Sequence, residues 1–362
     1  MTGRIYLRPQ GLIPRDRRQQ DERRYSGALP LCGDGPYDFT AVEIIERRGT
    51  ELFRESVTLG ELWASDRRAL QVEHADLLER LASPRARLRG LSLDRPRIMG
   101  IVNLTPDSFS DGGKLADADA AVAHALALAT AGADILDFGG ESTRPGSGAT
   151  PVEVELARVI PVITRVREKT EALISVDTRK AAVMEAALHA GADLVNDVSA
   201  LTYDLDALSL VAKSGAPVVL MHAKGDPKTM QADPRYDDVL TEVFDWLEAR
   251  VEACLAAGIP RQKIIVDPGI GFGKSFKHNL ALMAGLSLFH ALGVPVLLGA
   301  SRKRFLGVLT DEPDAGSRLI GSVAAALLGA SQGVQILRVH DVRETAQALK
   351  VAAACAGGGL VS

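Results

Sequence analysis

The chain has 362 residues, of which 46% are hydrophobic and 24% charged, and its formal net charge is −4. These averages are typical of a globular protein and exclude a disordered or collagen-like chain. The longest apolar stretches fall short of the roughly 20 residues that cross a bilayer, and the N-terminus lacks the apolar core of a signal peptide. Three widely spaced cysteines fit neither a disulfide framework nor a zinc cluster. We therefore expect a cytoplasmic protein without nucleic acid or membrane as a partner.

Charge is distributed unevenly along the chain. Residues 1–95 contain 17 Arg, no Lys and 15 acidic residues, whereas residues 96–362 contain 25 basic and 31 acidic residues. We interpret this change as a domain boundary between an accessory segment (1–95) and a main domain (96–362). Because acids balance the arginines of the accessory segment, we expect a solvated surface there rather than an anion-binding site.

The accessory segment is predicted to be a small α+β appendage. Its first 36 residues are rich in Pro and Arg and are expected to be loose. Two strands follow, over residues 39–45 and 52–58, with a turn sequence between them. Leucines at helical spacing then predict a helix across residues 66–82. Nothing in this segment indicates chemistry, and its role is left open.

From Pro96 onward, one structural unit recurs. An alanine-rich helix ends at a glycine, a short apolar strand follows, and a polar residue ends the strand, so that residues 131–137 resemble residues 190–196. Continuous Val, Ile and Leu runs are typical of parallel strands buried on both faces. The expected strand ends are Asn103, Phe138, Asp177, Asn196, His222, Asp267, Gly299 and His340. Eight units in about 240 residues predict an α/β fold, the (β/α)8 TIM barrel, with a doubly wound open sheet as the alternative.

Polar residues at the strand ends form a candidate site, because the C-terminal ends of barrel strands meet at one rim. Asp177, Asn196 and Asp267 come directly after apolar strands, where a carboxylate is costly to bury without a partner. A single such residue is commonly a helix N-cap. Together the three suit a flat heterocycle with an N–C–N donor edge, which a carboxylate accepts in bidentate fashion.

A basic group follows the last two strands. Arg338 and His340 are two residues apart in one strand, so their side chains point to the same side. Arg302 and Lys303 follow the seventh strand, in a region where barrels often bind phosphate. A solvated helix start is the alternative, but cations oppose the helix dipole at an N-terminus. We expect a cationic rim of Lys303, Arg338 and His340 that binds an anion.

Two long polar loops follow the first two strands, over residues 103–113 and 139–146, and predict a mobile cover over a substrate.

A glycine-rich run after the sixth strand is not a nucleotide-binding loop, because the position that requires glycine, 268, is proline.

These motifs together resemble the dihydropteroate synthases, a pterin-binding family of folate biosynthesis, across residues 96 to about 355. The resemblance rests on eight motifs in family order: Asn-Leu-Thr-Pro-Asp-Ser-Phe-Ser-Asp-Gly-Gly (103–113), Gly-Gly-Glu-Ser-Thr-Arg-Pro-Gly (139–146), Ser-Val-Asp-Thr (175–178), Asn-Asp-Val (196–198), Leu-Met-His (220–222), Asp-Pro-Gly-Ile-Gly-Phe-Gly-Lys (267–274), Ser-Arg-Lys (301–303) and Arg-Val-His-Asp-Val (338–342). It implies a transferase that condenses 6-hydroxymethyl-7,8-dihydropterin pyrophosphate with p-aminobenzoate to give 7,8-dihydropteroate and pyrophosphate, with Mg2+ as cofactor. It further implies a homodimer and a sulfonamide target.

The resemblance also assigns residues by motif position. The pterin would be held by Asp177, Asn196, Asp267, Lys303 and Arg338. The pyrophosphate would contact Asn103, Thr143, Arg338 and His340, and Asn103 would help to place Mg2+. The p-aminobenzoate pocket and its loops would comprise Phe109, Asp111, Thr143, Arg144, Pro145, Phe272 and Ser301.

The implied mechanism requires no protein nucleophile. Pyrophosphate leaves an allylic-type carbon, the dihydropterin stabilises the cation, and the arylamine nitrogen attacks. Two alternatives are a non-catalytic pterin-binding paralogue and a corrinoid-linked methyltetrahydrofolate methyltransferase. The second has no need of the pair Arg338 and His340.

Overall fold

The computed structural model describes residues 3–15, 27–63, 75–105, 113–142, 148–225 and 230–356. The accessory segment contains an antiparallel sheet of four strands, Arg4–Pro14 (β1), Leu29–Pro30 (β2), Tyr37–Arg48 (β3) and Glu51–Thr58 (β4). The long strand β3 pairs with each of the other three. Helices Leu59–Leu62 (α1) and Ala75–Ala82 (α2) follow. The two predicted strands and the C-terminal part of the predicted helix are thereby confirmed.

The expectation that the first 36 residues are loose is wrong for β1. This strand pairs with β3 over its whole length and buries Tyr6 and Leu7. Pro9 and Pro14 are unfavourable in the interior of a sheet, since proline donates no ladder hydrogen bond. They are tolerated because β1 lies at the edge of the sheet, where one side of the strand has no partner strand.

The second sheet closes into a barrel of eight parallel strands. They are Arg97–Asn103 (β5), Ile135–Gly139 (β6), Leu173–Asp177 (β7), Leu194–Asp197 (β8), Val218–Met221 (β9), Ile264–Asp267 (β10), Leu297–Leu298 (β11) and Ile336–Val339 (β12). Their order is β10-β9-β8-β7-β6-β5-β12-β11, and a parallel bridge between Val266 and Val296 joins the two ends. The (β/α)8 barrel is confirmed, and so is the N-terminal α+β appendage.

Helices alternate with these strands and cover the outside of the barrel. They are Gly113–Ala131 (α3), Val152–Arg167 (α4), Ala181–His189 (α5), Ala207–Ser214 (α6), Val239–Ala256 (α7), Phe276–Ala284 (α8), Arg304–Leu309 (α9), Leu319–Ser331 (α10) and Val342–Cys355 (α11). Short 3-10 helices span Arg261–Lys263 and Leu286–Leu292. Within the described residues, no helix combines the length and apolarity that a membrane span requires.

The barrel interior is filled at one end by a layer of large apolar side chains, as expected for this fold. Met99, Ile135 and Ile336 belong to this layer and lie near the N-terminal ends of their strands. Leu88 and Leu93, which precede β5, pack into the same layer and are almost fully buried. The barrel core therefore includes residues on the N-terminal side of 95/96, where the domain boundary is predicted.

The N-terminal sheet lies against the barrel helix α7, and arginines make much of the polar contact. Arg4 and Arg47 bind Asp245 at 2.9 and 2.7 Å, and Arg54 binds Asp238 at 2.9 Å. The expectation of a solvated basic surface is wrong for these arginines. They pair with carboxylates of the barrel and fix the segment on its side.

Candidate active site

Arg338, at the end of β12, reaches over the mouth of the barrel. Its Nε donates to Asp137 Oδ2 at 2.6 Å, and its Nη2 donates to Asp177 Oδ2 at 2.7 Å. These carboxylates come from β6 and β7. Because β5 lies between β12 and β6 in the sheet, the guanidinium crosses over the end of β5. Burial lowers the pKa of Arg338, but the two carboxylates outweigh burial and raise it. Arg338 is therefore a permanent cation with a fixed orientation.

Asp137 contacts two of the predicted site residues, although the motifs do not indicate it. Its side chain has no solvent exposure, and its Oδ2 accepts from both Arg338 and Asn196 Nδ2, the latter at 3.1 Å. Its Oδ1 is buried and has no partner among the described residues. The sequence does contain a pattern that points to Asp137, because the recurring unit places it at the position that Asn196 occupies two strands later.

The two predicted aspartates lie in different surroundings. Burial raises the pKa of Asp177 to about 7, although Arg338 opposes the shift. Burial also raises the pKa of Asp267, whose Oδ1 accepts from the Gly269 amide at 2.7 Å. A Cβ at Gly299 would lie 3.7 Å from Asp267 Oδ2 and 4.0 Å from Arg338 Cδ. The glycine thus leaves open space between these two side chains.

Lys303 is the second cation at the mouth. It caps the N-terminus of α9, and its Nζ lies 4.1 Å from the centroid of the Phe272 ring. Burial and the neighbouring Arg338 lower the pKa of Lys303 to about 8, against the opposing effect of Asp267 and Asp177. Lys303, which is predicted to bind the pterin, is therefore in contact with Phe272, which is predicted to line the p-aminobenzoate pocket.

His340 differs from its expected role as a cation. Burial, followed by the charges of Arg338 and Arg302, lowers the pKa of His340 to about 3, so the imidazole is neutral. Ser301 Oγ lies 3.0 Å from His340 Nδ1 and accepts from the His340 amide at 3.2 Å. Ser301 Oγ can donate to Nδ1 while it accepts from the His340 amide, and in that arrangement the ring proton lies on Nε2.

Arg302 does not contribute to an anion site. Its Nε donates to Asp341 at 3.1 Å, and its amide N–H donates to Ser322 Oγ at 2.8 Å, so neither group faces an anion. The backbone of Arg302 is left-handed, with φ +58°. Because His340 is neutral, the cationic rim predicted from the sequence is reduced to Arg338 and Lys303.

The glycine-rich loop after β10 is held by a buried amine. Lys274 Nζ lies 2.9 Å from His222 Nδ1 and donates to the Phe272 carbonyl at 2.9 Å. Burial lowers the pKa of Lys274 to about 7 and that of His222 to about 2. A Cβ at Gly273 would lie 2.2 Å from the Lys224 carbonyl oxygen, so the loop requires glycine there. Lys274 shapes the loop that presents Phe272.

The base of the second long loop is anchored by ion pairs. Glu141 accepts from Arg179 Nε at 3.0 Å and from the Thr150 amide at 2.8 Å, and lies 3.1 Å from Lys180 Nζ. Asn103 ends β5 and is half-buried at the rim. Five predicted site residues lie outside the described residues, as do most of both loops of the expected cover: Phe109, Asp111, Thr143, Arg144 and Pro145.

Comparison with known proteins matches this geometry to one family. The sequence profile of the pterin binding enzymes matches residues 99–340. Dihydropteroate synthase of Escherichia coli K12 is 47% identical over 261 residues, which cover 72% of this chain and 92% of that protein. The enzyme of Neisseria meningitidis serogroup B is 52% identical over 267 residues, covering 72% and 93%.

Solved structures agree in fold and sequence. Dihydropteroate synthase of Xanthomonas albilineans with 4-aminobenzoic acid has a TM-score of 0.71 and 53% identity, covering 75% of this chain and 98% of that one. The same enzyme in complex with 7,8-dihydropteroate has a TM-score of 0.68 and 50% identity, with the same coverage. These relatives are transferases of folate synthesis, not corrinoid-linked methyltransferases. The chain belongs to the pterin-binding enzyme family and, within it, to the dihydropteroate synthases.

Proposed function

We propose that the barrel mouth condenses 6-hydroxymethyl-7,8-dihydropterin pyrophosphate with p-aminobenzoate, using the residues that the motifs assign. The observation that carries this proposal is the placement of Arg338. Its guanidinium is fixed between two buried carboxylates and lies beside Asp267 and Lys303. Donors and acceptors for a pterin and cations for a leaving pyrophosphate thus share one mouth.

The pterin would be recognised by its amino-pyrimidinone edge. Asp267 uses one oxygen on the Gly269 amide, which leaves Oδ2 to accept from a ring N–H. Asn196 is oriented by its bond to Asp137, so its amide oxygen points away from that carboxylate. Both side chains are almost fully buried, and hydrogen bonds in such surroundings discriminate strongly against a ring that lacks the matching groups.

The pyrophosphate would lie near Arg338, Lys303 and His340. Among the described residues, none accepts from Nη1 of Arg338, so this group can donate to a phosphate oxygen. Neutral His340 would donate from Nε2. Thr143 is assigned to the same anion by its motif. Donors that are already oriented stabilise the charge that develops on a leaving group without reorganisation at the moment of reaction.

Magnesium fits the donor set at the rim. The described residues contain no group of three or more His, Cys, Asp or Glu side chains that would cage a metal ion. Mg2+ commonly takes one or two protein oxygens together with substrate phosphates and water. Asn103 supplies an amide oxygen at the end of β5, and the bound ion would neutralise charge on the pyrophosphate.

We also propose a cytoplasmic homodimer. Ile320 and Leu328 on α10 and Val351 on α11 are apolar and exposed, and these two helices lie side by side. An exposed apolar patch of this kind is typical of an interface between subunits. Sedimentation equilibrium should give twice the chain mass, and Ile320→Asp should shift the equilibrium toward the monomer.

The activity is tested by pyrophosphate release. The purified full-length chain should release pyrophosphate from the pterin substrate only when p-aminobenzoate and Mg2+ are both present. Absence of release under these conditions would contradict the proposed reaction. Release without p-aminobenzoate would indicate hydrolysis by water instead of condensation.

A further inference from the structure

Cys32 lies where the N-terminal sheet meets the barrel, at the end opposite the mouth. Its amide donates to the Leu81 carbonyl at 2.8 Å, and its side chain is 5% exposed. Its backbone is left-handed, with φ +55°. Such a conformation is uncommon outside glycine and persists only where the surroundings hold it. The backbone at Cys32 is therefore held in one conformation.

The thiol faces a histidine whose tautomer the structure fixes. Cys32 Sγ lies 3.4 Å from His290 Nδ1, and His290 Nε2 lies 2.9 Å from the Gln332 carbonyl oxygen. A carbonyl oxygen only accepts, so Nε2 carries the ring proton and Nδ1 of the neutral ring accepts from the thiol. A nucleophile, a base and a group that orients the base are the three parts that activate a thiol.

The charged groups around Cys32 favour the thiolate. Burial raises the pKa of the thiol, but His290, once it holds the transferred proton, and Arg85 outweigh burial and lower the pKa to about 7. The Gln335 side chain also hydrogen-bonds the sulfur. Its Oε1 accepts from the Val296 amide at 2.7 Å, so the amide nitrogen is the group that faces Cys32. Arg85 is fixed through its bond to the His290 carbonyl at 2.8 Å.

Cys32 lines a cavity of about 270 Å³. The other lining residues are three arginines, two aspartates, a serine and a leucine: Arg15, Arg85, Arg87, Asp34, Asp94, Ser92 and Leu93. It is large enough for a small molecule, and its arginines favour a ligand that develops negative charge on reaction. The mechanism at the barrel mouth uses none of these residues.

We propose that Cys32, His290 and the Gln332 carbonyl form an activated-thiol site that small peroxides reach through this cavity. The S–H proton moves to His290 Nδ1, and the sulfur attacks one peroxide oxygen. The O–O bond breaks, and the departing hydroxide takes the proton from His290 and leaves as water. Sulfur loses two electrons and becomes a sulfenic acid, while the peroxide is reduced.

The test uses the full-length chain with Cys355→Ser, which removes the exposed thiol. Cys254 then serves as an internal control, because it is buried and burial raises its pKa to about 11. Alkylation by iodoacetamide is followed from pH 5 to 9 by peptide mass spectrometry. We expect Cys32 to react with a midpoint near 7 and Cys254 to stay unmodified. Hydrogen peroxide should give a dimedone adduct on Cys32.

The base is tested with His290→Gln, whose amide can still donate to the Gln332 carbonyl. At pH 7 a thiol of ordinary pKa has about 15-fold less thiolate than one with a pKa of 7, so alkylation should slow by about that factor. Arg85→Gln should act in the same direction if His290→Gln does not fold. Unchanged pyrophosphate release would show that the barrel is intact. A midpoint at or above 8.5, or no adduct on Cys32 of the folded chain, would overturn the proposal.

Discussion

Arginines make ion pairs at the barrel mouth and on the side where the N-terminal sheet docks, but in different surroundings. Arg338 pairs with Asp137, which has no solvent exposure, whereas Arg4 pairs with Asp245, and these two side chains are 39% and 22% exposed. Exposed pairs are worth about 0–1 kcal/mol, whereas removing one partner of a buried pair costs about 3–5 kcal/mol. The mouth depends on its ion pairs. The docked segment must depend mainly on apolar burial.

The largest effect is expected at Arg338. Arg338→Ala removes the cation that Asp137 and Asp177 orient, and it leaves the buried Asp137 carboxylate without a charged partner. Pyrophosphate release should fall by about 10³-fold, the cost of losing a pre-oriented charged donor. Lys274→Ala should lower it by about tenfold or less, because Lys274 Nζ is engaged with His222 and the Phe272 carbonyl and supports a loop. Equal losses in kcat for the two variants would count against the site assignment.

The apolar residues just before the barrel are tested by two truncations that differ by eight residues. A chain that starts at Arg87 keeps Leu88 and Leu93, whereas a chain that starts at Arg95 lacks both. Each buried leucine contributes about 2–5 kcal/mol, so the shorter chain should be less stable by about 4 kcal/mol or more. Urea unfolding measures the difference. If the two chains unfold at the same urea concentration, the contribution of these leucines to the barrel core is refuted.

Asp137 is expected to act by positioning Arg338 and Asn196. Asp137→Asn retains an oxygen that can accept from them but loses the charge, so kcat should fall by about 30- to 100-fold, or 2–3 kcal/mol. Asp137→Ala should lose more, and the KM for p-aminobenzoate should change little in either variant.

Ser175→Ala serves as the matched control for Asp137. Ser175 lies on the neighbouring strand β7, and its buried hydroxyl has no partner among the described residues. Its removal should leave kcat unchanged. If Asp137→Ala were no worse than Asp137→Asn, the carboxylate oxygens would have no positioning role.

The strand ends and their polar residues could be predicted from the sequence because their signals are local. An apolar run, a glycine and a following polar residue lie within a few positions of one another, as in residues 190–196. Strand β1 could not be predicted, since its prolines are acceptable only at a sheet edge and edges are set by tertiary pairing. The neutral state of His340 depends on burial and on Arg338, and the Cys32–His290 contact joins residues 258 positions apart.

A smaller effect concerns the pH dependence of ligand binding at the mouth. Each end of the barrel holds a group whose pKa is about 7. These groups are Asp177 at the mouth and Cys32 at the opposite end. Below pH 7 Asp177 is protonated and accepts poorly from a pterin N–H. The affinity for 6-hydroxymethylpterin, which lacks the pyrophosphate, should therefore rise about tenfold per pH unit up to 7 and then level off.

Titration calorimetry on two variants tests which end of the barrel causes the pH dependence of pterin affinity. Asp177→Asn cannot titrate, so its pterin affinity should be weak and should lack the rise of about tenfold per pH unit up to 7. Cys32→Ser should keep the profile of the unaltered chain, because its thiol lies at the opposite end from the mouth. A flattened profile in Cys32→Ser would mean that the two ends are coupled. The docked segment would then influence the mouth as well as stabilise the barrel.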